Sequence, residues 1–310
     1  MRKWPYGDSE SPATYEPASS ADLRPLLQLA EKETDSSPVR AAVLALALKA
    51  YNRAHDSVDS DIRALNTLSG QLKHVFIPTQ APPRDLSVGQ GPPEWLLKRG
   101  WAQIVARRDR LAFACAQLEL DIEDGTHLPC GEYVSLEPDK APEKWVSRHV
   151  QDEPTALVVG LPTVGTPKIF RDPVSGLPVV ADMYDDPEGG SRVMHYSTLA
   201  PLALPDRSPL GEVILEGPIW IRTEDGALHI APRPHINGLN YGYDGTCPSN
   251  LAALIDKLLD RIDADAVDHD YRSLSVGLYE GFSGGWGRGA RLSRHRLLLA
   301  RQTTGVIEFR

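Results

Sequence analysis

Apolar residues recur along this chain with two different periods, and the change from one to the other divides it. In the first part the spacing is helical. Asp22 can cap a short helix that takes Pro25 into its first turn and reaches about Glu33. Ser37 and Pro38 suit the N-cap and first position of a stronger helix, and residues 39–51 are apolar nearly all round, as in a helix surrounded by others. A further segment, 60–73, places Ile62, Leu65, Leu68 and Leu72 on one face. The proline-rich run 78–93 predicts a loop. The longest helix is expected from Pro93 to about Leu120, with Trp101, Ile104, Val105, Arg108, Ala112, Cys115 and Leu118 forming its stripe.

Beyond Gly125 the runs become short and β-like. They cover residues 156–159, 168–170, 177–181, 212–215, 218–222 and 227–230, the last two paired across Glu224-Asp225-Gly226, a strong hairpin signal. No regular helices separate these runs, so the expected class is α+β. A helical N-terminal domain precedes a mainly antiparallel sheet with one or two packed helices. The expected divisions are an extended or disordered arm (1–21), a helical domain (22–124), a linker region (125–154) and an α+β domain (155–310). The clearest helix of the second part follows a glycine-rich turn. Gly242 and Gly245 permit positive φ, Thr246 can cap, and Leu251, Leu254, Ile255, Leu258, Leu259 and Ile262 share one face.

Composition narrows the function. A net charge of −9 argues against non-specific attraction to nucleic acid or anionic membrane. Three scattered cysteines without a CxxC pair fit a reducing compartment, the N-terminus lacks a secretory apolar region, and no apolar run is long enough to span a membrane. A cytoplasmic protein without a membrane partner or cofactor is expected. Charge is uneven, however. Residues 288–310 carry a local charge of +5, leaving −14 for the remainder.

The turn from Tyr241 through Tyr243, Gly245 and Thr246 to Ser249 presents the start of a helix, where N–H groups and the dipole favour an anion. It lacks the Gly-Lys-Ser/Thr of a phosphate loop, so a structural turn is the competing interpretation. The string from Tyr241 to Ala252, YGYDGTCPSNLA, resembles the GY-x-G-x-G-P-x-x-L-A core of a short family of phage, plasmid and bacterial accessory proteins. The likeness covers residues 227–262 and departs from the pattern at Cys247. It implies a small sheet-plus-helix module and transfers no catalytic residue.

Other motifs fare worse. Gly281-Phe282-Ser283-Gly284-Gly285 satisfies G-x-S-x-G, but His295 and Glu308 follow in the wrong order for a hydrolase triad. His269-Asp270 lacks the downstream aspartate of a metal phosphohydrolase. Asp263, Asp265, Asp268 and Asp270 miss the calcium-loop pattern at its glycine and its final glutamate. No metal site is expected. His229, His235 and His295 are the candidate acid–base residues, with His229 expected on the polar side of its strand. Trp286, Arg288, Arg291, Arg294 and Arg296 form a candidate partner surface with the turn. The leading expectation is a non-catalytic binding protein with a protein partner. The alternatives are an enzyme on a phosphorylated or nucleotide substrate, or a nucleic-acid-binding protein using segment 288–301.

Overall fold

A computed structural model describes residues 21–68, 91–123, 128–130, 132–137, 141–161, 166–185, 192–233, 238–266 and 274–303. Most of the expected N-terminal arm, most of the loop 78–93, His235, the His269-Asp270 motif and Glu308 lie outside them. Among the described residues the chain is an α+β protein: helices first, then antiparallel sheets with further helices at the C-terminal end. No helix among them is long and apolar enough to cross a membrane.

Four helices open the chain: α1 (Arg24–Lys32), α2 (Pro38–Leu68), α3 (Glu94–Val105) and α4 (Arg110–Glu123). Two expectations are corrected here. Segment 60–73 is no separate helix, because residues up to Leu68 simply continue α2. The long helix from Pro93 is two, broken at Arg107-Arg108-Asp109, where Ala112 N–H turns to the Asp109 carboxylate. The break also spends the charges of this segment. Arg107 pairs with Glu33 and Asp109 at 2.7 Å each, Arg108 with Asp152 at 2.5 Å, and Lys98 with Glu94 at 2.7 Å. Gly100 lets α3 close on α2, since a Cβ there would meet the Pro38 carbonyl and the Ala42 methyl.

Residues 125–154, expected as a linker, supply β1 (Tyr133–Leu136), α5 (Glu143–Val146) and β2 (Val150–Gln151). Residues 156–159 form a 3-10 turn within Ala156–Gly160 instead of a strand, held by Ala156 N–H on the Arg107 carbonyl. Then follow β3 (Lys168–Arg171), β4 (Pro178–Asp185), β5 (Arg192–Leu199), β6 (Leu210–Ile214), β7 (Trp220–Thr223), β8 (Leu228–Ile230), α6 (Thr246–Asp260), α7 (Val276–Glu280), β9 (Arg291–Ser293) and α8 (Arg294–Arg301). The first sheet has the order β1-β5-β4-β3-β2 and the second β8-β7-β6-β9, every neighbouring pair antiparallel.

Strand alternation sorts the buried side chains into three cores. In the first sheet Ile169, Val180 and Leu199 face the N-terminal helices, and Val134, Leu136 and Val179 face the other way. In the second, Val213, Ile221 and Leu292 face α6, α7 and α8, and Ile214, Trp220 and Ile230 face the first sheet. The layers therefore run helices, sheet, sheet, helices. Trp145 of α5 fills the seam between the sheets, edge-on to Trp220 at 5.7 Å and to Tyr196 at 6.3 Å between ring centroids.

One buried acid sits in the helical layer. Burial, then the neighbouring Glu123 carboxylate, push Glu119 up to about 7, with Lys49 and Arg53 opposing. The folded state thus holds its proton where the unfolded chain, at the ordinary value of 4.5, has lost it, so stability falls as pH rises from about 4.5 to 7. Glu119→Gln is expected to be more stable than the parent at pH 8 by on the order of 2 kcal/mol, the gap closing towards pH 4, as read by urea unfolding. Emptying the seam with Trp145→Ala is expected to cost about 3–5 kcal/mol. The exposed Val150→Ala should change stability by less than about 0.5 kcal/mol in the same assay.

Candidate functional site

The turn entering α6 is built from the inside. Gly242 adopts φ +84, a left-handed value that a Cβ would strain, and its N–H donates to the Phe282 carbonyl at 2.8 Å. Gly245 is extended (φ 161), so its expected positive φ is corrected; a side chain there would instead crowd the Tyr243 ring at 3.0 Å. The N-cap is Gly245 without a side-chain cap, and Thr246 is already helical, so the expected Thr246 cap is corrected too. Ser249 is fully buried, its hydroxyl donating to the Gly245 carbonyl at 2.9 Å. Tyr279 donates its phenol to the Asp244 carboxylate, and burial together with that carboxylate pushes it up to about 12. A carboxylate already stands at this helix start, which disfavours a second anion.

Two arginines of the basic segment are neutralised from within, and a third is bonded to a carbonyl. Arg291 forks onto Glu212 at 3.0 and 2.7 Å. Arg301 forks onto Asp260 at 2.6 Å twice and also reaches Asp256 at 2.7 Å. Arg294 donates to the Leu259 carbonyl near the end of α6 at 3.1 Å, where the dipole welcomes a cation. Ser293 caps the start of α8, its hydroxyl accepting from Arg296 N–H at 3.4 Å. Arg296 lies over the Trp286 ring at 5.6 Å, and Trp286 packs on Gly281, where a Cβ would strike its ring. Arg288 and His295 are exposed. Burial raises the Tyr241 phenol, and the Arg288 charge opposes that rise.

Ser283 lies on a π-helical turn, Gly281–Gly285, that continues α7, with its hydroxyl donating to the Glu280 carbonyl at 3.4 Å. That is no strand-to-helix elbow, so a nucleophile's setting is missing. Asp263 and Asp265 pair with Arg261 and Arg99 at 3.1 and 3.0 Å. Among the described residues no group of His, Cys, Asp and Glu is placed to hold a metal ion.

His229 is found elsewhere, and its expected polar exposure is corrected. It is 2% exposed, turned against Asp206, which Thr223 also bonds, instead of solvent. Its Nε2 lies 3.0 Å from Asp206 Oδ2, and its Nδ1 is buried without a partner. Burial raises Asp206, but the N–H groups of Ser208 and Arg207 and the His229 ring outweigh it and hold the carboxyl below its ordinary value. Burial lowers His229 despite that carboxylate. Beside it, Arg148 forks onto Asp172 at 2.8 and 2.6 Å and donates to the Leu228 carbonyl at 2.7 Å, joining the two sheets. Asp172 also accepts from Val174 N–H and the Ser175 hydroxyl.

Asp206 and Asp172 were missed in the sequence as site residues. Each is the aspartate of a local turn, accepting the backbone N–H two residues on, and that signal is readable; what lies across the turn is not. A small crevice, partly open to solvent, lies here, lined by Trp145, Asp172, Ser175, Thr198, His229 and Ile230 with apolar neighbours. No residue of the turn 241–249 lines it, so the turn and this histidine do not share this crevice. No protein-family model matches the chain, and no curated protein or solved structure does so at a significant level.

A second histidine adjoins the seam. His149 packs edge-on to Trp145 at 4.2 Å and tilted to Phe170 and Tyr196, with neither ring nitrogen partnered. Burial lowers it, Asp172 raises it and Arg148 lowers it. With both histidines depressed, the unfolded chain takes up protons first as pH falls through the ordinary value of 6.5, so their contribution to stability is present above that pH and lost below it. His149→Phe is expected to flatten the loss of stability below pH 6.5 while staying folded at pH 8, measured by thermal unfolding across that range. An unchanged slope would exclude His149 as its source.

Proposed function

We propose that the chain is a non-catalytic binding protein that engages a protein partner through the surface formed by the turn 241–249 and the loop 286–296. The observation that carries this reading is the tie between the two stretches. Gly242 donates to the Phe282 carbonyl, the Phe282 ring packs on Trp286 at 4.9 Å, and Arg296 covers Trp286. Tyr243, Arg288 and Arg296 are left outward, and tyrosine, tryptophan and arginine are the side chains on which interface energy concentrates.

A protein partner is favoured over nucleic acid. Arg291 and Arg301 are matched by carboxylates and Arg294 by a carbonyl, so few cations remain to follow a phosphate backbone. The enzyme alternative needs a phosphate at the start of α6, where Asp244 stands, and a histidine in the same pocket.

The test uses the full chain as bait in lysate of the cells that make it, alongside Arg288→Glu, Tyr243→Ala and the distant control Arg24→Glu. A protein retained by the parent and the control but weakened about 30-fold by each surface variant is the expected result, corresponding to a hot-spot loss of about 2 kcal/mol. Retention of every captured protein equally by all four baits would overturn the assignment.

A further inference from the structure

We propose that the protein partner presents an acidic, amphipathic segment, with its carboxylates on Arg288 and Arg296 and its apolar side chains over Leu299. This rests on the partner surface assigned above and specifies the chemistry that surface takes.

The unmatched charge is concentrated here. The chain is acidic overall, at −9, yet residues 281–303 contain no Asp or Glu. Elsewhere arginines such as Arg107, Arg148 and Arg233 each have a carboxylate within 2.7 Å. Within the basic segment Arg291 is taken by Glu212, and Arg301 by Asp256 and Asp260. Among the described residues no carboxylate stands within ion-pair distance of Arg288, Arg294 or Arg296. Arg294, His295 and Arg296 also fill the first turn of α8, where no acid accompanies them and the helix dipole adds to their positive potential.

Two of these cations are set for a carboxylate. Arg288 stands in a turn closed by Ala290 N–H on the Gly287 carbonyl at 3.1 Å, with Gly289 at φ +82, so it leaves a fixed backbone towards solvent. Arg296 lies over the Trp286 ring at 5.6 Å. A guanidinium supported on an aromatic face keeps its N–H fork for a carboxylate, which it meets in two parallel bonds.

Leu299 supplies the apolar part. At 55% it is the most exposed large apolar side chain among the described residues, and it lies one helical turn beyond Arg296 on the same face of α8. A segment with apolar residues beside its carboxylates covers both features. A phosphate backbone meets the charges alone and leaves Leu299 in water.

The experiment titrates the full-length protein into a fluorescein-labelled peptide of Glu, Leu and Ala, with Glu and Leu one helical turn apart, and reads anisotropy. The comparison probes are the same peptide with Gln for every Glu, the same peptide with Ser for every Leu, and oligothymidylate of equal charge. The acidic peptide is expected to bind about ten-fold more tightly than the Gln peptide, a difference of about 1.4 kcal/mol, and more weakly as salt rises. Arg288→Glu and Arg296→Glu should each weaken it about ten-fold and Leu299→Ser about three-fold, with Arg24→Glu unchanged. Arg288→Glu, in an exposed turn, carries the test should Arg296→Glu loosen Trp286. Equal binding of the Glu and Gln peptides, indifference to both arginine variants, or tighter binding of oligothymidylate would each overturn the proposal. If the peptide fails while a lysate protein is still lost from Arg288→Glu and Tyr243→Ala, the acidic partner falls and the surface stands; if both fail, the surface falls with it.

Discussion

Two sheets with apolar residues on both faces cannot stand alone, and the rest of the fold follows from covering them. Consecutive residues such as Val179 and Val180, Val213 and Ile214, or Trp220 and Ile221 point to opposite sides, and each pair is buried on both. The outer faces are met by α1–α4 on one side and by α6–α8 on the other. The inner faces meet each other, and their seam is filled by Trp145 from a helix of only four residues. A short element carries this load because a single indole removes more apolar area from water than any other side chain could at that point.

Stacked layers leave polar groups stranded at the seam, and each has to be matched. Arg148 does this by holding Asp172 of the first sheet's turn while bonding the Leu228 carbonyl of the second sheet's edge strand. His229 and Asp206 match one another in the same way. What remains after these pairings, the bare Nδ1 of His229 and an aromatic-bound His149, is where the interior carries polarity that packing does not absorb. At the surface the same logic spends Arg291, Arg294 and Arg301 on internal partners and leaves Arg296 over the Trp286 ring.

Much of the fold was legible in local pattern. Pro38 opening α2, the Asp225-Gly226 turn between β7 and β8 with Gly226 at φ +87, and the apolar face of α6 all appear where periodicity and turn chemistry put them. The misses share a cause. Residues 156–159 look like a strand, yet no neighbouring strand is there to pair with them, and they close a 3-10 turn against α4. Arg107, Arg108 and Asp109 look like part of a helix, but their charges are drawn to Glu33, Asp152 and one another. The strand β1 has four residues and was invisible without β5 beside it.

By itself the sequence determined the class, the helical start, the β7–β8 hairpin and the apolar face of α6, because those depend on residues within a few positions of one another. Tertiary structure decided which charges are free and which histidine is buried. The alternation that placed His229 on a polar face was sound as far as one strand goes. Its burial came from Asp206, 23 residues away, and the crevice beside it from Asp172 and Arg148 of other elements. Partners set this far apart are chosen by how layers stack, and stacking is the one thing a local period does not encode.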